Sequence, residues 1–182
     1  MTRDDYLELM KAKVKNVNLQ KHMLAAEAIL RDLAVFLGKE EVEAYGLAGL
    51  LHDIDYESTV KNPKAHGLEG AAYLQEYALP EYVIDAIRSH SGLVERKTEL
   101  DKALYAVDPL TGLIVASALV HPDRKLVSID TQFIMKRFGE KAFARGAKRE
   151  QIATCSELGL ELEEFIFIGL KAMTKIAEEL GL

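Results

Sequence analysis

The chain has a single cysteine, Cys155, among 182 residues. An internal disulfide and a cysteine-rich zinc site are therefore excluded, and Cys155, set in a helical pattern, reads as a small core residue. Positive charge is in deficit. The formal net charge of −6 argues against a general nucleic-acid binder, which is normally basic. Long apolar runs are missing as well: the longest, Leu110 to Val120, is too short to span a bilayer. The N-terminus, Met1-Thr2-Arg3-Asp4-Asp5, is polar and acidic, unlike a signal peptide. A cytoplasmic protein without membrane attachment is expected. There is no Gly-x-Ser-x-Gly nucleophile motif, no internal repeat and no low-complexity linker.

Apolar residues make up 49% of the chain and charged residues 29%, an ordinary balance for a soluble globular protein. The length suits one domain, residues 1–182, with a real core. Strand-like alternation is nearly absent and helical periodicity dominates, so the expected fold class is all-α. Asn18 is placed to cap a helix running to Leu37, with Gly38 as its stop. A second helix is expected over 40–54, a loop over 57–65, a helix from His66 to Tyr77, and another from Pro80 to His90. A short helix over 103–108 should break at Pro109, which starts the next, 110–120. Three further helices are expected in the remainder, the last carrying Phe165, Ile166, Phe167 and Ile168, which serve either the core or a homodimer interface.

The apolar run Leu47-Ala48-Gly49-Leu50-Leu51 ends in the doublet His52-Asp53. A His-Asp pair alone is weak. Here it has company: His22 precedes it in a helical stretch, His66 and His90 follow it, and Asp108 comes later. Four of the five histidines and two aspartates form one ordered set. Imidazole and carboxylate together suit a divalent ion such as Mn, Fe, Ni, Co or Zn, with Mg also open. Asp53 has two oxygens and can bridge two ions. His66 and His90 either complete a second ion with Asp53 or serve a phosphate-contacting or structural role. Asp108 also stands where a cap of the 110–120 helix is expected. His121 lies outside the pattern and reads as a surface residue.

The order His22, His52-Asp53, Asp108 resembles the H…HD…D signature of the HD-domain superfamily of metal-dependent phosphohydrolases. Leu51-His52-Asp53-Ile54-Asp55 is similar to that family's helix end, His66-Gly67-Leu68-Glu69-Gly70-Ala71 to its second-metal segment, Ala86-Ile87-Arg88-Ser89-His90 to the following helix, and Ala106-Val107-Asp108 to its closing aspartate. The resemblance covers roughly residues 15–120; the extension 121–182 carries no recognised motif. It implies a helical bundle around one or two divalent metal ions held by His22, His52, Asp53, His66, His90 and Asp108. It also implies hydrolysis of a phosphoester or phosphoanhydride bond by metal-activated water, with His52 and Asp53 as the catalytic pair. Asp55-Tyr56 stands where signalling phosphodiesterases of the superfamily carry Gly-Lys, and Ser89 and Ser91 flank His90 where they carry a His-His pair. Glu57-Ser58 does not supply the Glu-Asp of the alarmone hydrolases. The pattern resembles small dinuclear members, among them enzymes that split symmetrical dinucleoside tetraphosphates.

A small phosphorylated, nucleotide-like substrate needs cations beyond the metal. Lys64 and Arg88 are the substrate-binding candidates, with Lys61, Arg124 and Lys125 as others. The basic cluster Lys136, Arg137, Lys141, Arg145, Lys148 and Arg149 reads as a solvated helical face. Asp55 and Glu57 are either partners for metal-bound histidine N–H groups or solvated acids. Two alternatives accompany the hydrolase reading: a mononuclear 5'-nucleotidase-like enzyme, and a non-catalytic sensor or scaffold that keeps the fold.

Overall fold

The computed structural model describes all 182 residues, and it is helical with no strand. Helix α1 (Arg3–Lys13) opens the chain with a capping box between Thr2 and Asp5. It has no counterpart in the sequence reading; it buries Tyr6 and Met10, one turn apart, and packs Leu7 and Leu9 partly against the core. Helix α2 (Val17–Phe36) starts two residues earlier than expected. Asn16, not Asn18, is its cap: the Asn16 side chain accepts the N–H groups of Asn18 and Leu19. The expected stop holds, with Gly38 at φ +68°.

Helix α3 (Val42–Leu51) packs along α2, the most extensive helix pairing in the molecule. Gly49 permits it. A Cβ there would stand 2.6 Å from the backbone of Ala26 and Glu27, so the two helices touch main chain to main chain. The segment expected as a loop holds one turn, α4 (Tyr56–Thr59), and a 3₁₀ turn, Pro63–Ala65. Helices α5 (Leu68–Leu74) and α6 (Glu81–Ser89) follow.

The expected break at Pro109 does not occur. Helix α7 runs uninterrupted from Glu99 to Val120 with Pro109 inside it. Proline removes an N–H and leaves the carbonyl four residues back without its intrahelical partner. That carbonyl belongs to Tyr105, and the buried side-chain amide of Gln151 donates to it at 2.8 Å. Asp108 is therefore mid-helix and is not an N-cap. By length and composition α7 could cross a membrane, but 61% of its most apolar window is buried inside the molecule, as in a core helix.

Beyond residue 120 come α8 (Thr131–Gly139), α9 (Arg149–Ile152), α10 (Leu162–Lys175) and α11 (Ala177–Leu180). Helix α10 lies against α2, α7 and α8 and buries Phe165, Ile166 and Ile168; Phe167 faces outward. One continuous apolar core joins residues of α1–α3, α6, α7 and α10. Each large side chain fully buried there, such as Leu30, Leu50 or Phe165, contributes about 1.5–3 kcal/mol. That packing fixes the helices from which the polar cluster projects.

Candidate metal centre

Four helices and one connecting segment deliver six side chains to one spot. His22 comes from α2, His52 and Asp53 from the end of α3, His66 from the residue before Gly67, His90 from the end of α6, and Asp108 from α7. The Nε2 atoms of His22 and His52 are 3.0 Å apart, and those of His66 and His90 3.1 Å. Asp53 stands between the pairs. Its Oδ1 is 3.2 Å from His66, 3.3 Å from His90 and 3.5 Å from His52, and its Oδ2 is 3.5 Å from His22. Asp108 Oδ1 lies 3.3 Å from His22 Nε2 and 3.9 Å from His52 Nε2.

The outer nitrogens settle the tautomers. His52 Nδ1 donates to the Gly49 carbonyl at 2.8 Å and His90 Nδ1 to the Ile87 carbonyl at 2.6 Å. His66 Nδ1 donates to Asp55 Oδ1 at 2.9 Å. Thr111 donates its hydroxyl proton to the Asp108 carbonyl, so its oxygen accepts from His22 Nδ1 at 2.7 Å. With every Nδ1 carrying a proton, each neutral ring turns an Nε2 lone pair inward. Asp53 Oδ1 is buried and has no hydrogen-bond partner. Four nitrogen lone pairs and an orphaned carboxylate oxygen therefore converge, an arrangement that calls for cations at the centre. Two overlapping sets have ligand atoms close enough for one ion: His22, His52 and Asp108, and His52, Asp53 and His90. The donor set fits a divalent metal.

Burial and neighbouring carboxylates shift the cluster's histidines in opposite directions. Burial opposes charging His22, but contacts with Asp108 and Asp53 outweigh it and raise the pKa to about 10. His66 is raised to about 10 in the same way by Asp53 and Asp55. His52, fully buried, is pushed down to about 4. Burial disfavours the charged form of Asp53, yet the surrounding histidines hold it well below the usual carboxylate range.

Asp55 is the partner of a cluster histidine. Besides His66, it accepts the N–H groups of Gly67 at 2.8 Å and Gly70 at 2.7 Å. Gly67, at φ +80°, turns its N–H onto that carboxylate. Glu57 is not such a partner, because it reaches back across the chain to accept the N–H groups of Lys15 and Asn16.

The cluster opens into a cavity of about 1300 Å³ whose lining includes Tyr56, Lys61, Ser91 and Leu93. Lys64 and Arg88 do not line it. Arg88 precedes His90 by two positions, roughly 200° around the helix, and pairs with Asp85 and Glu81. The cations that do line it are Lys61 and Lys148, and Lys148 belongs to the segment expected to be a solvated face. Arg124 and Lys125 lie outside the lining, and His121 stands apart, edge-on to Phe133. Thr111, Gln151 and Lys148 are the residues sequence reasoning missed. Only Thr111 left a signal, three positions after Asp108 on one helical face.

Residues 19–119 match the family model described as the HD domain. The chain belongs to the HD-domain family. No solved structure matches the chain. HD domains form a superfamily of metal-dependent hydrolases, and the cluster of this HD domain is compatible with a divalent metal site. Gly146, Lys148 and Gln151 line the cavity from outside the matched segment.

Proposed function

We propose that this protein is a dinuclear metal-dependent phosphohydrolase acting on a small nucleotide-like substrate. One observation carries the reading: two imidazole pairs, with Nε2 atoms 3.0 and 3.1 Å apart, share Asp53 between them. His22, His52, Asp53 and Asp108 would hold one ion. Asp53, His66 and His90 would hold the other. The chemistry such ions supply when bound is Lewis acidity, which polarises a phosphoryl oxygen and acidifies water.

The protein's own groups do the rest. Thr111, Asp55 and the carbonyls of Gly49 and Ile87 hold the four rings in one tautomer and orientation. Burial of His52, Asp53 and His90 keeps bulk water from the back of the cluster. Lys61 offers a positive charge to phosphate oxygens at the cavity wall. The exposed faces of Tyr56, Val60 and Leu93 give a base or other apolar group a surface to lie on.

The test is metal analysis of the purified protein together with a panel of nucleotides and generic phosphoesters assayed with Mn, Fe, Co, Ni, Zn and Mg. Two ions per chain and phosphate release are expected, and His52→Ala and Asp53→Ala should abolish both. A single ion with turnover would favour the mononuclear nucleotidase-like reading. Absence of turnover with every metal would overturn the enzyme reading in favour of a sensor or scaffold.

A further inference from the structure

Part of the cavity lining comes from a segment outside the HD-matched residues, and that segment is built with care. The Arg149 guanidinium donates to the carbonyls of Arg137, Phe138, Phe143, Ala144 and Ala147 at 2.6–3.2 Å. One side chain thus satisfies carbonyls of a stretch with little regular helix, and its donors are charged. Gln151 anchors the same segment to α7 through the Tyr105 carbonyl. Lys148, next to Arg149, is presented into the cavity from this fixed backbone.

The ammonium of Lys148 is exposed and has no ion-pair partner, and the same is true of Lys61. The carboxylates that share the cavity are already engaged. Asp53 and Asp108 contact the histidines, and Glu57 accepts two main-chain N–H groups. Two uncompensated cations therefore face one cavity beside a cluster suited to divalent ions. A single phosphate would find its counter-charge at that cluster. The two ammonium groups match negative charge further along the ligand.

We propose that Lys148 is a specificity-determining residue. It grips a phosphate other than the one attacked, so the site prefers ligands with two or more linked phosphates over a single phosphate. The proposal rests on the phosphohydrolase reading for the word "attacked", and its test does not need turnover.

The experiment uses the full-length, Mn-loaded protein and calorimetric binding of two probes. One is the methylene-bridged analogue of ADP, which cannot be hydrolysed between its phosphates; the other is inorganic phosphate. The wild type should bind the analogue more tightly. Lys148→Ala should weaken the analogue about tenfold and phosphate less than about twofold, the size of one charge-assisted hydrogen bond. Lys148→Arg should retain most of the affinity, and Lys64→Ala, off the cavity, should match the wild type. Metal content should be the same in all variants. An equal loss for both probes, no loss for the analogue, or no wild-type preference for the analogue would overturn the proposal. Missing turnover on any nucleotide would instead count against the phosphohydrolase reading and leave these binding ratios readable.

Discussion

The side-chain amide of Gln151 donates to the Tyr105 carbonyl, the one acceptor that Pro109 strips of its intrahelical partner. The bond lies one turn before Asp108, so a residue of α9 keeps the helix bearing that carboxylate continuous. Gln151→Leu leaves the carbonyl buried and unpaired and should cost about 1–3 kcal/mol of stability in urea unfolding. Pro109→Ala restores an N–H for the same carbonyl. The double variant should recover much of the loss, a coupling of about 1 kcal/mol or more. Strict additivity of the two changes would mean that Gln151 does not substitute for the missing N–H.

Gly49→Ala places a methyl 2.6 Å from the main chain of Ala26 and Glu27. Backbone cannot yield as a flexible side chain does, so α2 and α3 must separate. A loss of about 1–3 kcal/mol is expected. The same separation pulls His22 away from His52, whose Nδ1 is tied to the Gly49 carbonyl. Metal content measured on the folded fraction should fall along with the melting temperature. Normal metal loading in a destabilised Gly49→Ala protein would show that the helix contact and the cluster are independent.

The positions of the cluster were legible because their types and order suffice: a histidine in a helix, a doublet at a helix end, two lone histidines and a later aspartate. The all-helical class followed from periodicity, and Pro80 and Gly38 marked ends that the structure keeps. What was illegible depends on partners distant in sequence. Pro109 reads as a break until Gln151 is seen beside Tyr105. Glu57 reads like Asp55 until its carboxylate is found on the Lys15 and Asn16 N–H groups. Arg88 is close to His90 in sequence but turned away from it by helix geometry. Lys148 is far from the doublet in sequence yet lines the same cavity, because α9 and the turn before it fold back against α7.

Asp55 orients His66 and takes two main-chain N–H groups with the same carboxylate. Asp55→Asn keeps the shape but removes the charge and half of the acceptor capacity. Metal affinity at the His66 and His90 half should drop about 10–100-fold, while the half held by His22, His52 and Asp108 changes little. Titration of metal-free protein with Mn, read as ions bound per chain, checks this. A parallel loss at both halves would place Asp55 in general folding and not in the support of one ring.

Metal binding and pH should be linked through His22 and His66, both raised to about 10 in the metal-free protein. Below that value each ring holds an extra proton on the nitrogen that faces the cluster, and a ligand must release it. Affinity should therefore rise with pH, by up to about tenfold per unit for each proton displaced. Calorimetry in buffers of different ionisation enthalpy should find up to two protons released near neutral pH. The stability of the metal-free protein should run the other way. A histidine whose folded pKa lies above its unfolded value of 6.5 stabilises fully below 6.5, and that contribution is lost as pH rises through about 10. His52, pushed down to about 4, acts with the opposite sign, but only between 4 and 6.5, outside this window. Melting temperatures of chelator-treated protein should fall between about pH 6.5 and pH 10. Metal affinity that stays flat across that range would mean that the imidazole pairs do not hold a proton in place of a cation.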